Sequence, residues 1–207
     1  MSEGQNVLNL LTDLTQHVNS IHDFNKLPIP FLCIATNLET GKQEILNQGF
    51  LPLAIKASGS LPTLLAPVEI DGKLLTDGGV VNNFPVEEVK SLGPDVIIGV
   101  DIQSGLDSKE ELDSALKILN QIVGFQMYKT LDYKYSKVDV LIKPDVSNYN
   151  VISFNEKKEI MKAGESGQGV NERMLMLRER PMIGYRDFSK RKPVPQAMKD
   201  KYEALVK

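Results

Sequence analysis

The chain has 207 residues, 42% of them hydrophobic and 25% charged, with a formal net charge of -3. That length and balance give one globular domain or a large piece of one, and they exclude a nucleic-acid binder, since no lysine or arginine run outweighs the acidic excess. The longest apolar runs are about five or six residues, against the roughly 20 a helix needs to cross a bilayer. The N-terminus lacks the basic and apolar regions of a secretory signal.

In chain order, Gln5 to Val18 places Val7, Leu8, Leu11, Leu14 and Val18 on one face, the pattern of an amphipathic helix. His17 and His22 lie here without partners at ligand spacing, so they read as surface or helix-end residues rather than metal ligands. Pro28 to Asn37 reads as a strand holding Cys33 as a small buried hydrophobe. As the single cysteine, Cys33 leaves no disulfide and no Cys-x-x-Cys metal site. Gly41 to Asn47 follows as a more alternating strand, and Leu53 to Ser58 as a short helix ended by Ser58-Gly59-Ser60-Leu61-Pro62.

Pro67 to Ile70 leads into a hairpin, because Asp71-Gly72 between two apolar runs supplies the positive φ angles of a two-residue turn. The next acid, Asp77, is followed by Gly78 and Gly79, which let the backbone bend and another group approach closely. Pro85 suits the first position of a helix over Pro85 to Leu92, stopped by Gly93-Pro94. Asp95 to Asp101 is an apolar, β-branched run that suits a strand buried on both faces of a parallel sheet.

Beyond it, Lys109 to Tyr135 reads as one long helix and Val138 to Ile142 as a last strand. Ser153, with Glu156 three residues on, has capping-box spacing and opens a helix running to about Leu177. Residues 181–207 are basic and proline-bearing, a tail or linker after a domain over residues 1–180.

Taken alone, Asp77 has two readings: a general base, or an acid that caps a turn, as acids before glycine often do. Asp101 at a strand end could suggest a ribose-binding acid, but the glycine-rich phosphate fingerprint is absent, and a cap or loop-ordering role fits better.

Several short motifs then occur together, in order: Ala54 to Pro62, Pro67-Val68, Leu75-Thr-Asp77-Gly-Gly79, Asn82, Pro85-Val86 and Val96 to Asp101. Together they resemble the second half of a bacterial patatin-like phospholipase domain, over about Gly4 to Leu177. The resemblance implies a three-layer α/β/α sandwich, incomplete on its N-terminal side, and a serine-aspartate pair that hydrolyses lipid acyl esters without histidine or cofactor. On that pattern Asp77 is the catalytic aspartate, and Gly78, Gly79 and Asn82 support its turn.

The family's glycine-rich oxyanion loop and Gly-x-Ser-x-Gly nucleophile elbow do not occur in the sequence. The nearest approach, Gly164-Glu165-Ser166-Gly167, lies in a helical stretch with its second glycine one place early, and Ser58 and Ser60 read as turn residues. The chain is therefore expected to be either part of an acyl hydrolase that acts with a missing N-terminal half, or a non-catalytic interaction module of the same fold. The implied partners are a lipid or acyl-ester substrate and a membrane surface. Larger relatives of the envelope-associated kind place such a domain ahead of an outer-membrane barrel. The run Gly4 to Leu14 resembles those members, so a cell-envelope location is favoured over a cytoplasmic one.

Overall fold

The computed structural model describes residues 2–103, 105–110, 112–149 and 153–165. Pro28 and Pro30 cannot donate to a ladder, so the predicted strand over 28–37 contracts to β1 (Cys33–Asn37). β2 (Gln43–Leu46) returns beside it antiparallel. β3 (Val68–Ile70) and β4 (Lys73–Asp77) form the predicted hairpin: Asp71 and Gly72 take φ of 50° and 73°, and Ile70 pairs with Lys73 across a two-residue turn.

β4 pairs with β1 antiparallel, Ala35 opposite Asp77 and Thr36 opposite Thr76, which gives the strand order β2-β1-β4-β3. β1 is thus an interior strand. Four of its five residues, Ile34 to Asn37, are buried. The actual edges, β2 and β3, carry Gln43, Glu44 and Glu69, polar side chains that discourage strand addition.

α1 (Gln5–Thr15), extended by a 3-10 turn at Gln16–Val18, packs on α2 (Leu51–Ser58), which has a proline in its first turn. α2 in turn lies on β1, β4 and β3. One core collects Val18, Phe24, Leu27, Leu51 and Ala54; a second collects Ala35, Ala57, Val68 and Leu75. The alanines at 35, 54 and 57 leave no bulk between helix and sheet, so α2 and the strand beneath it sit close.

After β4 come α3 (Gly79–Asn82), α4 (Val86–Lys90), β5 (Ile98–Val100), α5 (Ala115–Lys129), α6 (Leu131–Tyr135), β6 (Val140–Ile142) and α7 (Lys157–Glu165). Pro85 precedes α4 instead of opening it. β5 and β6 are parallel, Ile98 opposite Val140, and a third core joins Phe84, Val86 and Leu131 to Tyr135, Val138 and Leu141. Gly99 is required there: a Cβ would fall 2.4 Å from the tip of the Phe84 ring. Helices packed on two open sheets make an α/β sandwich, the predicted class.

Two expectations are corrected. β5 is covered on one face only, with Ile98 and Val100 48% and 51% exposed while Gly99 lies under Phe84. The long helix predicted over 109–135 begins only at Ala115 and is two helices, broken at Thr130 (φ -105°, ψ -1°). Ser166, the predicted run of the last helix to Leu177 and the tail from 181 lie outside the described residues.

Candidate functional site

Asp77 closes β4, and its backbone is pinned from two sides. Its N–H donates to the Ser60 carbonyl (3.1 Å), and its own carbonyl accepts from Thr36 Oγ1 (2.7 Å). Thr76 Oγ1 donates to the same Ser60 carbonyl (2.7 Å), and the Gly78 N–H reaches the Ser58 carbonyl (3.3 Å). Ser58 and Ser60 therefore serve as turn residues. The fully buried Ser60 commits its hydroxyl to the Lys56 carbonyl at 2.7 Å, a geometry that leaves it no role as a nucleophile.

The two glycines do different work. Gly78 sits at φ -66°, a conformation any residue adopts, so left-handed backbone is not the reason for it. The reason is contact: an added Cβ would lie 2.1 Å from the Ile34 carbonyl oxygen and 2.5 Å from its carbon, in the backbone of β1. Gly79 donates its N–H to Asp77 Oδ1 at 2.6 Å, and a Cβ there would stand 3.0 Å from that oxygen. A bare backbone edge therefore borders the carboxylate.

Burial pushes the Asp77 carboxyl above the ordinary carboxylate value, and the Gly79 N–H pulls it back by less. Among the described residues Oδ2 carries no hydrogen bond. This half-buried carboxylate has one oxygen fixed by an amide, one available, and a raised proton affinity, the properties of a general base.

The structure does not bring Asn82 to the carboxylate. Asn82 was expected to support the Asp77 turn; instead its Oδ1 accepts from Lys134 Nζ (2.6 Å), and Nδ2 donates to Gln43 Oε1 (2.8 Å) and Glu88 Oε1 (3.1 Å). Lys134, Gln43 and Glu88 were not foreseen, because they lie on three separate elements and no local pattern joins them.

Asp101 orders a loop, as expected: Tyr135 donates its hydroxyl to Oδ2, Lys143 Nζ lies 3.6 Å away, and the Gln103 N–H bonds Oδ1. Burial and this carboxylate push the Tyr135 phenol upward. Cys33 lies against the Ala54 carbonyl (Sγ to O, 3.5 Å), and burial pushes its thiol up to about 11, so it is an inert small hydrophobe. His17 and His22 are exposed, and no group of three metal-ligating side chains occurs among the described residues. A groove of about 610 Å³ lined by His22, Phe50, Leu53 and Ile70 opens at the turn end of the β3–β4 hairpin, the opposite end of β4 from Asp77.

Residues 13–90, which hold Asp77, Gly78, Gly79 and Asn82, match the patatin-like phospholipase family. This segment resembles that family. Lysophospholipase NTE1 of Candida glabrata is 29% identical over 196 residues, covering 75% of this chain and 11% of that protein. Lysophospholipase NTE1 of Saccharomyces cerevisiae is 38% identical over 114 residues, covering 47% of this chain and 7% of that protein. An uncharacterised NTE family protein of Mycobacterium tuberculosis is 35% identical over 101 residues, covering 47% and 28% respectively. The chain thus spans well under a third of the length of these relatives. The likeness is to a family of lipid hydrolases, for which a lipid is the substrate class.

Proposed function

We propose that this chain supplies the base of a serine-aspartate lipid acyl hydrolase of the phospholipase A or esterase type, with Asp77 as that base. The observation that carries the reading is the Asp77 carboxylate itself: half-buried, raised in proton affinity, held by the Gly79 amide, and set in a segment that matches the patatin-like phospholipase family. A serine oxygen attacks the ester carbonyl carbon while Asp77 Oδ2 takes the hydroxyl proton. The proton then passes to the leaving alcohol as the carbon–oxygen bond breaks, and an acyl-serine remains for water to cleave. Nucleophile and oxyanion donors come, on this reading, from the N-terminal half of the domain.

A seat for that half supports the proposal. Ile98, Val100 and Ile102 on and after β5, and Ile118, Ile122 and Phe125 along one side of α5, are all exposed, apolar side chains that a covering element would bury. A membrane surface, reached through an envelope-associated arrangement, completes the proposal on the resemblance of the Gly4 to Leu14 run.

The second reading, a non-catalytic interaction module, draws on one observation: the bond from the Gly79 N–H to Asp77 is also what a turn-capping acid makes. An experiment separates them. The chain co-expressed with an elbow-bearing N-terminal half of a patatin-like domain is expected to hydrolyse a lysophospholipid and to be labelled by a fluorophosphonate on the partner's serine. An assembled pair that neither labels nor turns over favours the interaction module.

A further inference from the structure

α3 is a single turn of four residues with no side-chain cap at its start. Such a helix has no stability of its own. Yet it must keep the Gly79 N–H aimed at Asp77 Oδ1, a hydrogen bond that favours the charged form of that acid. At its front the turn is fixed by the contact between Gly78 and the Ile34 backbone. At its far end stands Asn82, and every polar atom of that side chain is engaged.

The partners of Asn82 come from three other elements: Gln43 on β2, Glu88 on α4 and Lys134 on α6. Gln43 Nε2 also donates to Glu88 Oε1 at 2.7 Å, which closes the ring of Asn82, Gln43 and Glu88. Asn82, Glu88 and Lys134 are half-buried. Burial pulls the Lys134 ammonium below its ordinary value while Glu88 opposes this, so the bonds from Asn82 to Lys134 and Glu88 are partly withdrawn from water and stronger for it, while the Gln43 bonds lie on the exposed side. The same bonds tie the antiparallel sheet, through β2, to the unit built on Phe84 and Leu131.

We propose that Asn82, clamped by Lys134, Gln43 and Glu88, is a positioning residue for Asp77: it holds α3 in the register that keeps the Gly79 amide on the carboxylate. Its functional meaning rests on the reading of Asp77 as base, but its geometry stands independently. The effect is transmitted through the helix, not through charge, because burial and the Gly79 N–H are the influences on Asp77 and neither Lys134 nor Glu88 acts on it directly. When the clamp is cut, Asp77 stays in place, since Thr36 and Ser60 hold its backbone independently of α3. Burial persists, the opposing hydrogen bond is lost, and the carboxyl titrates at a higher pH.

The test is an NMR titration of the 207-residue chain, following the Asp77 carboxyl carbon and the Gly79 amide proton. In the wild type the Gly79 proton is expected to shift as Asp77 ionises. In Asn82→Ala that coupling is expected to disappear and the Asp77 midpoint to rise, with the Ile70 and Lys73 hairpin signals unmoved. Lys134→Met is expected to do the same and Lys134→Arg to restore wild-type behaviour, which keeps the test decisive if Asn82→Ala fails to fold. A folded Asn82→Ala or Lys134→Met protein with the coupling and midpoint intact overturns the proposal. Because the readout needs no nucleophile, failure here is distinct from failure of the catalytic reading, which turnover decides.

Discussion

Gly78→Ala puts one methyl group into the narrowest gap around the site. Its Cβ would stand 2.1 Å from the Ile34 carbonyl oxygen, 2.5 Å from its carbon and 3.0 Å from its Cβ. Two of the three are backbone atoms of an interior strand, so no rotamer relieves the clash and β4 must move off β1. Overpacking of this kind costs about 1–3 kcal/mol. Parting the strands also strains the bond from Thr36 Oγ1 to the Asp77 carbonyl (2.7 Å) and that from the Asp77 N–H to Ser60 (3.1 Å), each worth about 1 kcal/mol net. A loss of about 3–5 kcal/mol is a large share of the roughly 5–15 kcal/mol that holds a domain together.

Gly79→Ala is the internal control. The tightest neighbour of its Cβ is Asn83 Oδ1 at 2.8 Å, the end of an exposed side chain that can swing away. An alanine in a helix gains up to about 1 kcal/mol over glycine, so the net change in stability is expected to be small. Urea unfolding followed by circular dichroism, suited to a chain without tryptophan, measures both. A Gly78→Ala protein as stable as the wild type, or a Gly79→Ala protein damaged as severely, refutes the claim that contact with β1 dictates the first glycine.

Asp77→Asn is expected to be more stable than the wild type at neutral pH, because an amide avoids the cost of burying the charged carboxylate. The sign follows from the raised folded-state pKa: the folded protein binds the proton more tightly than the unfolded chain, so stability falls as pH rises from the unfolded carboxylate range through the folded value. The advantage of the amide should therefore vanish below the unfolded range, near pH 4, and melting curves across pH check this. Cys33, with its thiol raised to about 11 by burial, should resist a thiol reagent at pH 8 in the folded chain and react fully in denaturant. The exposed apolar side chains of β5 and α5 should make the chain self-associate, seen as a sedimentation coefficient that rises with concentration; a compact monomer at high concentration contradicts the proposed seat.

What the sequence made legible was local. Asp71-Gly72 carries its turn chemistry in two adjacent residues, and the hairpin follows it to the residue. Asp77-Gly-Gly announced a close approach, and Ile34 makes it. The register of β1 was not legible, because an apolar run reads alike whether it is an edge or an interior strand; only pairing with both β2 and β4 decides. Nor was the burial of β5: Ile98 and Val100 alternate with Gly99 to one side of the strand, and only the structure shows Phe84 covering the glycine side. The Asn82 clamp was out of reach for a similar reason, since Gln43 is 39 residues and Lys134 52 residues away along the chain. Side chains that meet across such separations leave no spacing to read.

The most direct measurement is turnover of a lysophospholipid by the assembled domain, this chain together with an elbow-bearing N-terminal half, compared between Asp77 and Asp77→Asn. An amide keeps the shape and can still accept the Gly79 N–H, but it cannot take the serine proton. This chain alone is expected to be inactive, the assembled wild type active, and the Asp77→Asn assembly folded and without turnover. A folded Asp77→Asn assembly that hydrolyses the substrate at the wild-type rate removes Asp77 from the mechanism.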